Sequence, residues 1–359
     1  MTIMVGIDMH AKQLVCEIGY GRIVPQKCTF ANTLTGHLEL IAAITTLKSS
    51  MGAQHALVAY EASGLGYLLY DRLCEAGFQC EVLAPTELLR SATGFKKKTD
   101  KKDASYIYET LRGHVLAGNR LSSIWVAGKQ LRDDRELVRA RFDLGQKITM
   151  VKVQIQTLLK KFGISKPEDT EAWRVSFRKW LYSLPETSGP GFKHCLETLL
   201  CQLSFFESEE NSLRKEILKL SREDRYRVQC ERLLKIPGVG LVTAMTFLTE
   251  IGDMRRFSNR RQLGSYLGLA PSSFESGEMS DRKGRITRNG PYRVRSVLNQ
   301  ALWVHLKHDG VEKLTYDRLV ARNPRHKKKA VVACMRRLAV RMWHEATDVL
   351  KSNQAVLAA

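Results

Sequence analysis

The sequence predicts an α/β unit at the N-terminal end followed by a mostly helical remainder. Three patterns carry that expectation: short apolar runs alternating with helix-period segments within the first 125 residues, a seven-residue apolar recurrence through the middle, and a basic helical tail. Thr2 to His10 is an apolar run ending at an aspartate, and Leu14 to Gly19 and Val24 to Phe30 follow with turn residues between, which predicts three hairpin-linked strands. Leu38, Ile41, Ala42, Ile44 and Leu47 recur at helical spacing. His55 to Tyr60 reads as a fourth strand delivering Glu61, a helix spans about Leu65 to Ala76, Gln79 to Leu83 is a fifth strand, and a helix starts near Asp100. The order is β-β-β-α-β-α-β-α.

The chain has 359 residues, enough for two or three domains. We place the boundaries at 1–125, 126–225 and 226–359. Lys and Arg number 57 against 37 Asp and Glu, a formal charge of +20, which favours a polyanionic partner and above all nucleic acid. Eight cysteines lie scattered without CxxC or Cys/His spacing, so reduced thiols in a cytoplasmic protein are expected, without structural zinc. No apolar run reaches the ~18 residues of a membrane span.

Chemistry concentrates in Gly94 to Thr110, GFKKKTDKKDASYIYET. Asp100 and Asp103 stand at i and i+3, on one side of a helix start for which Thr99 is a plausible N-cap. Two carboxylates held so close repel, and a hard cation such as magnesium or manganese relieves the repulsion. The competing reading is a solvated, charged helix start. Lys96, Lys97, Lys98, Lys101 and Lys102 surround the pair and suit a phosphate backbone. Asp8 and Glu61, each at a strand end, complete a set of four acids that a mixed sheet can converge, although an Asp at a strand end also serves as a turn former.

From Leu131 to Phe162, Leu137, Leu144, Val151 and Leu158 fall seven apart with Ile148, Ile155 and Phe162 as companions, which predicts a coiled-coil seam. A second seam runs through Leu196, Leu199, Leu203, Phe206, Leu213, Ile217 and Leu220, interrupted at Glu210. The seams can pair within one chain or zip two protomers together. Trp173, Phe177, Trp180 and Leu184 form an amphipathic core helix between them.

Leu233 to Ala244, LLKIPGVGLVTA, has the layout of a helix-hairpin-helix, in which Gly238 and Gly240 would let backbone amides approach a phosphate; a plain tight turn competes. Between Gln262 and Gly290 helical periodicity is lost. Ser276 sits there in Phe-Glu-Ser-Gly, ahead of Arg282, Lys283, Arg285, Arg288, Arg293 and Arg295. A serine attacks phosphorus if its proton is taken and cations hold the phosphate oxygens; a plain loop serine is the alternative, with Ser272, Ser273 and Ser280 close by. The tail is helical, and Arg325, Lys327, Lys328 and Lys329 head a block without acids that suits phosphates. Trp303, Leu338 and Met342 read as core.

Five motifs in order, GIDMHAK (Gly6 to Lys12), YEASGLG (Tyr60 to Gly66), KKTDKKDA (Lys97 to Ala104), IPGVG (Ile236 to Gly240) and GLAP with FESGE (Gly268 to Glu278), resemble the IS-one-ten family of insertion-sequence transposases, relatives of Piv-type DNA invertases. The resemblance implies an RNase H-type, RuvC-like N-terminal domain, a coiled-coil middle and a C-terminal transposase domain. It places an acidic tetrad on Asp8, Glu61, Asp100 and Asp103 and a catalytic serine on Ser276. It further implies Mg2+ (or Mn2+), DNA as donor and target, a noncoding guide RNA, a phosphoserine intermediate, and a homo-oligomer, dimer or tetramer, in the bacterial cytoplasm at the nucleoid. A Ser in YEASGLG, where Thr or Gly is frequent, and NGPYRVRSVL after the serine depart from the family pattern. The competing functions are a metal-dependent junction nuclease and a non-catalytic nucleic-acid-binding protein.

Overall fold

The computed structural model describes residues 1–85, 100–168, 170–184, 189–276 and 279–357, with side chains omitted at 100–102, 273–276, 279–283 and 349–357. The chain divides into two compact units, Met1–Ala127 and Gly128–Ala359.

In the first unit the strands are β1 (Thr2–Met9), β2 (Gln13–Tyr20), β3 (Gln26–Ala31), β4 (His55–Glu61) and β5 (Gln79–Leu83), ordered β3-β2-β1-β4-β5 in one sheet. The first three pair antiparallel, as consecutive hairpins must, while β4 and β5 return parallel through the crossover helices α1 (Leu34–Ser50) and α2 (Leu68–Glu75). This is the predicted element order. Strand parity sorts the side chains: Ile3, Val5, Ile7, Val58 and Tyr60 join Leu40 and Ile44 of α1 and Leu69 and Leu73 of α2 in one core. Met4, Leu57, Ala59 and Leu83 face the other way, onto Ile107, Tyr108 and Leu111 of α3 (Asp100–Ala117).

The seat of α3 is Gly6 in the middle of β1. A Cβ there would meet the Ala104 carbonyl oxygen at 2.8 Å and press on the Tyr108 backbone, so only glycine lets the helix lie this close. At the outer edge, Ser122–Ile124 extends the sheet: Ile124 donates to the Val82 carbonyl at 2.8 Å and Ala84 to that of Ser122 at 2.9 Å.

The second unit contains α4 (Lys129–Lys161), α5 (Val175–Ser183), α6 (Pro190–Leu220), α7 (Arg227–Leu234), α8 (Leu241–Ile251), α9 (Arg260–Tyr266), α10 (Tyr292–His308), α11 (Gly310–Arg322) and α12 (Lys327–Leu357). The two long helices pack antiparallel within the chain: Arg141 pairs with Glu210, and twenty-one residues on, Phe162 meets Phe192. The Arg141 ion pair accounts for an acid interrupting the second seam. The first seam is shifted from the prediction. Val138, Phe142, Ile148, Val151, Ile155 and Leu159 are buried, whereas Leu137, Leu144 and Leu158 flank the stripe half-buried and Phe162 is exposed. The packing line thus follows spacings of three and four near 3.6 per turn, not a strict seven-residue repeat.

Charged pairs anchor α4 to the later helices. Asp134, 5% exposed, accepts from both ends of the Arg225 fork and from the Tyr226 hydroxyl. Glu250, 4% exposed, accepts from the Arg139 fork at 2.7 and 2.9 Å. A further departure from the expected helical C-terminal part is a hairpin, β6 (Pro271–Ser276) and β7 (Met279–Ile286), in the stretch that had lost helical period. Trp303, expected in the core, is 46% exposed and edge-on to Tyr316; Leu338 and Met342 are buried as expected. Among the described residues no helix is long and apolar enough to cross a membrane.

The close approach at Gly6 gives a stability prediction. Gly6→Ala must push α3 off the sheet and should cost about 1–3 kcal/mol. Gly64→Ala, where the added carbon meets open space, should be nearly neutral. Denaturant unfolding of the two variants checks the difference.

Candidate functional site

The acidic positions of the first unit share one face of its sheet. Ile7 of β1 pairs in parallel register with Tyr60 of β4, so Asp8 and Glu61, the next residue on each strand, stand side by side. Ile7 and Tyr60 point into the core under α1 and α2; by alternation Asp8 and Glu61 point to the face that carries α3. Asp103 lies in the first turn of that helix, next to Ala104, whose carbonyl covers Gly6. Asp100 opens the same helix, and its side chain lies outside the described residues, as do those of Lys101 and Lys102; Lys96, Lys97, Lys98 and Thr99 lie wholly outside them.

Around the end of β1 and the start of α3 stand residues that the sequence reading did not single out. The His10 Nε2 donates to Asp8 Oδ2 at 2.9 Å, with the Asp8 side chain only 15% exposed. The His10 carbonyl in turn accepts from the Asn32 amide at 2.7 Å. Asn32 Oδ1 accepts from His37 Nε2, and His37 Nδ1 accepts from Arg72, both at 2.7 Å. This arrangement fixes the neutral tautomer of His37. Burial lowers the His37 pKa, and the neighbouring Arg72 cation lowers it further. The chain of contacts therefore runs from α2 through α1 to the end of β1. On the α3 side, the buried Glu17 accepts from the Ser105 hydroxyl and pairs with Lys27 at 3.1 Å, tying the start of α3 to β2. The signals were present: His10 shares strand parity with Asp8, and Glu17 is an acid at an inward position of an apolar strand.

Carboxylates on one face are the donor chemistry that a hard divalent cation takes. Among the described residues, however, no group of three or more His, Cys, Asp or Glu side chains stands close enough to hold an ion. The fit therefore rests on donor type and shared face.

In the second unit, α7 and α8 flank the turn of the IPGVG motif. Gly238, at φ +85°, is pressed on α10: a Cβ would meet the Ala301 carbonyl oxygen at 2.5 Å and the His305 amide at 2.7 Å. Packing within the chain thus accounts for that glycine. Gly240 faces open space at the uncapped start of α8, where a phosphate could approach. Ser276 closes β6, opposite Met279 across the hairpin; its side chain and those of Arg282 and Lys283 lie outside the described residues. Arg285, Arg288, Arg325, Lys327, Lys328 and Lys329 are exposed. Arg293 is engaged instead with Asp143 at 2.9 Å and with the Tyr292 ring, and Arg295 with backbone carbonyls. These two guanidiniums thus have partners within the chain.

Comparison with known proteins places this geometry in context. A family model described as a DEDD transposase, IS110 type, matches residues 5–164, and one described as "Transposase IS116/IS110/IS902 family" matches residues 230–317. Together they span more than half of the chain. The protein y4qE of Sinorhizobium fredii is 31% identical over 70% of this chain and 59% of its own length. The transposase for insertion sequence element IS1111A of Coxiella burnetii is 26% identical over 70% of this chain and 66% of its own. The chain thus aligns with less than two thirds of either relative. A second Sinorhizobium fredii protein, y4rJ, is 25% identical over 95% of this chain and 91% of its own length.

The His37 contacts carry a pH prediction. Because folding lowers its pKa, the unfolded chain binds the extra proton first as pH falls below about 6.5, and the histidine's contribution to stability, complete above that value, declines. Thermal unfolding between pH 8 and pH 5 should show the melting temperature fall, and His37→Gln should flatten that part of the profile.

Proposed function

Since the chain belongs to the IS116/IS110/IS902 family of transposases, we propose that it cuts and rejoins DNA for a mobile element through a covalent link at Ser276. The observation that supports this best is the placement of Asp8, Glu61 and the first turn of α3 on one sheet face, in a protein of charge +20. Asp8, Glu61, Asp100 and Asp103 would hold Mg2+, or Mn2+ in its place. When bound, the ion supplies charge stabilisation at the scissile phosphate and favours loss of the serine proton. The Ser276 oxygen forms a bond to phosphorus while the bond from phosphorus to a deoxyribose oxygen breaks; the hydroxyl proton goes to a base and the departing oxygen takes one up. A second DNA end reverses the exchange.

His10 holds Asp8 in one orientation, and Glu17 with Ser105 holds the helix that carries Asp100 and Asp103. Arg285, Arg288, Arg325, Lys327, Lys328 and Lys329, with Lys96, Lys97, Lys98, Lys101, Lys102, Arg282 and Lys283, are assigned to phosphates, which need no sequence reading. Choice of donor and target is assigned to base pairing with a guide RNA, consistent with contacts of this sequence-independent kind. A homo-oligomer, dimer or tetramer, would let the hydroxyl and the acids come from different protomers.

Purified protein with cognate DNA, RNA and Mg2+ should yield a protein–DNA adduct that survives denaturing gels. Ser276→Ala should abolish it, and Asp8→Asn should lower strand exchange by at least about 100-fold while leaving DNA affinity within a few-fold. Cleaved DNA without an adduct in the wild type would instead identify a nuclease in which the acids activate water. Unchanged exchange in Asp8→Asn would contradict the metal role.

A further inference from the structure

Both legs of the β6–β7 hairpin converge on one guanidinium. Arg295, in the first turn of α10, donates through Nη1 to the carbonyls of Leu267 at 3.0 Å, Asn289 at 2.8 Å and Gly290 at 3.2 Å, and through Nη2 to that of Arg288 at 2.8 Å. Leu267 precedes β6, and Arg288 to Gly290 follow β7. The two legs also cross tightly above this point. Gly268, at φ +64°, has no room for a Cβ, which would meet the Asn289 amide at 2.8 Å, and Gly290, at φ +74°, lies against the Tyr266 carbonyl in the same way. Thr287 donates to the Ala270 carbonyl at 3.0 Å and Arg288 to that of Gly268 at 3.3 Å.

Four carbonyls around one side chain make a demand that few residues meet. A guanidinium is planar, carries five N–H groups and can serve several acceptors at fixed angles, whereas an ammonium is a point charge with three rotating donors. All four hydrogen-bond partners are neutral. Burial accordingly lowers the Arg295 pKa, with Arg288 adding to the effect. A cation partly withdrawn from solvent is costly, and the return is a fixed junction between α10 and both hairpin legs.

We propose that Arg295 is a positioning residue for the serine step: it sets the angle at which the hairpin presents Ser276, in place of the nucleic-acid contact its charge suggests. The proposal rests on Ser276 acting as the nucleophile. A hairpin hinged at its root swings its far end through a larger arc than its base, and displacing a reacting atom by about 1 Å can cost roughly 100-fold in rate. Loss of Arg295 therefore acts on the chemical step and not on DNA binding.

The test compares wild type, Arg295→Ala and Arg295→Lys in single-turnover adduct formation at saturating DNA, alongside DNA affinity and melting temperature. Both variants should bind DNA within about twofold of wild type and form the adduct roughly 100-fold more slowly. Millimolar guanidinium chloride should restore much of the Arg295→Ala rate by occupying the vacated carbonyl ring, whereas equal ammonium chloride should not. Wild-type rates in Arg295→Lys, or slowed adduct formation explained by equally weakened DNA binding, would overturn the proposal. An unfolded Arg295→Ala leaves the Arg295→Lys comparison decisive. Failure of the wild type to form any adduct would count against Ser276 as the nucleophile and against the proposal with it, whereas a normal wild-type adduct with normal variants would count against Arg295 alone.

Discussion

The first unit depends on one missing side chain. At Gly6 the strand carries nothing on the face that meets α3, and the Ala104 carbonyl and Tyr108 backbone settle into that gap. This contact puts the start of α3 next to the end of β1, two residues before Asp8. Any larger residue would lift the helix and, with it, the turn that carries Asp100 and Asp103. The remaining face contacts then follow: Ile107, Tyr108 and Leu111 cover Met4, Leu57 and Ala59, and Ser105 reaches the carboxylate of Glu17. Apolar burial gives the helix its affinity for the sheet, at about 25 cal/mol per Å2, and the glycine sets its height.

The second unit solves a different problem, because helices of this length slide past one another unless something fixes their register. Buried carboxylates do so here. Asp134 and Glu250 each meet an arginine side-on, through Nε and Nη2, a directional bidentate geometry. Such pairs add little over a well-packed apolar contact, but removing one partner strands a buried charge at a cost of about 3–5 kcal/mol. Specific alignment is what they contribute, and α8 and the α7–α8 turn inherit their position from it. Gly238, seated on α10 next to the Pro237 carbonyl that His305 binds at 2.8 Å, extends the same alignment to the α7–α8 turn that ends at Gly240.

The element order of the first unit was legible because strand and helix periods differ and turn residues mark the ends. The acid positions were legible as residue types at element termini. Less visible were the groups that orient them. His10 and Glu17 read as ordinary polar residues until parity and burial place them beside Asp8 and under α3. The seam of α4 was legible only in part because a heptad and a 3.6-residue stripe share residues such as Ile148, Val151 and Ile155; only the packing partner on α6 decides between them. The β6–β7 hairpin was hidden by charge, since its strands lack an apolar face of their own to show period two. Charge counts also gave no sign that Arg293 is held by Asp143 and Arg295 by a ring of carbonyls. Trp303 erred the other way, an apolar residue that the fold leaves half outside.

All of this bears on whether separated acids act as one cation-binding group, and direct ion binding addresses that without recourse to activity. Titrating metal-free protein with Mn2+ and following the free ion by electron paramagnetic resonance measures the affinity of the face itself. The account predicts saturable binding that weakens at least about tenfold in Glu61→Gln and in Asp103→Asn, with the double variant little worse than either single one, because all three changes empty the same site. Independent, additive losses, or Mn2+ binding untouched by both substitutions, would contradict it.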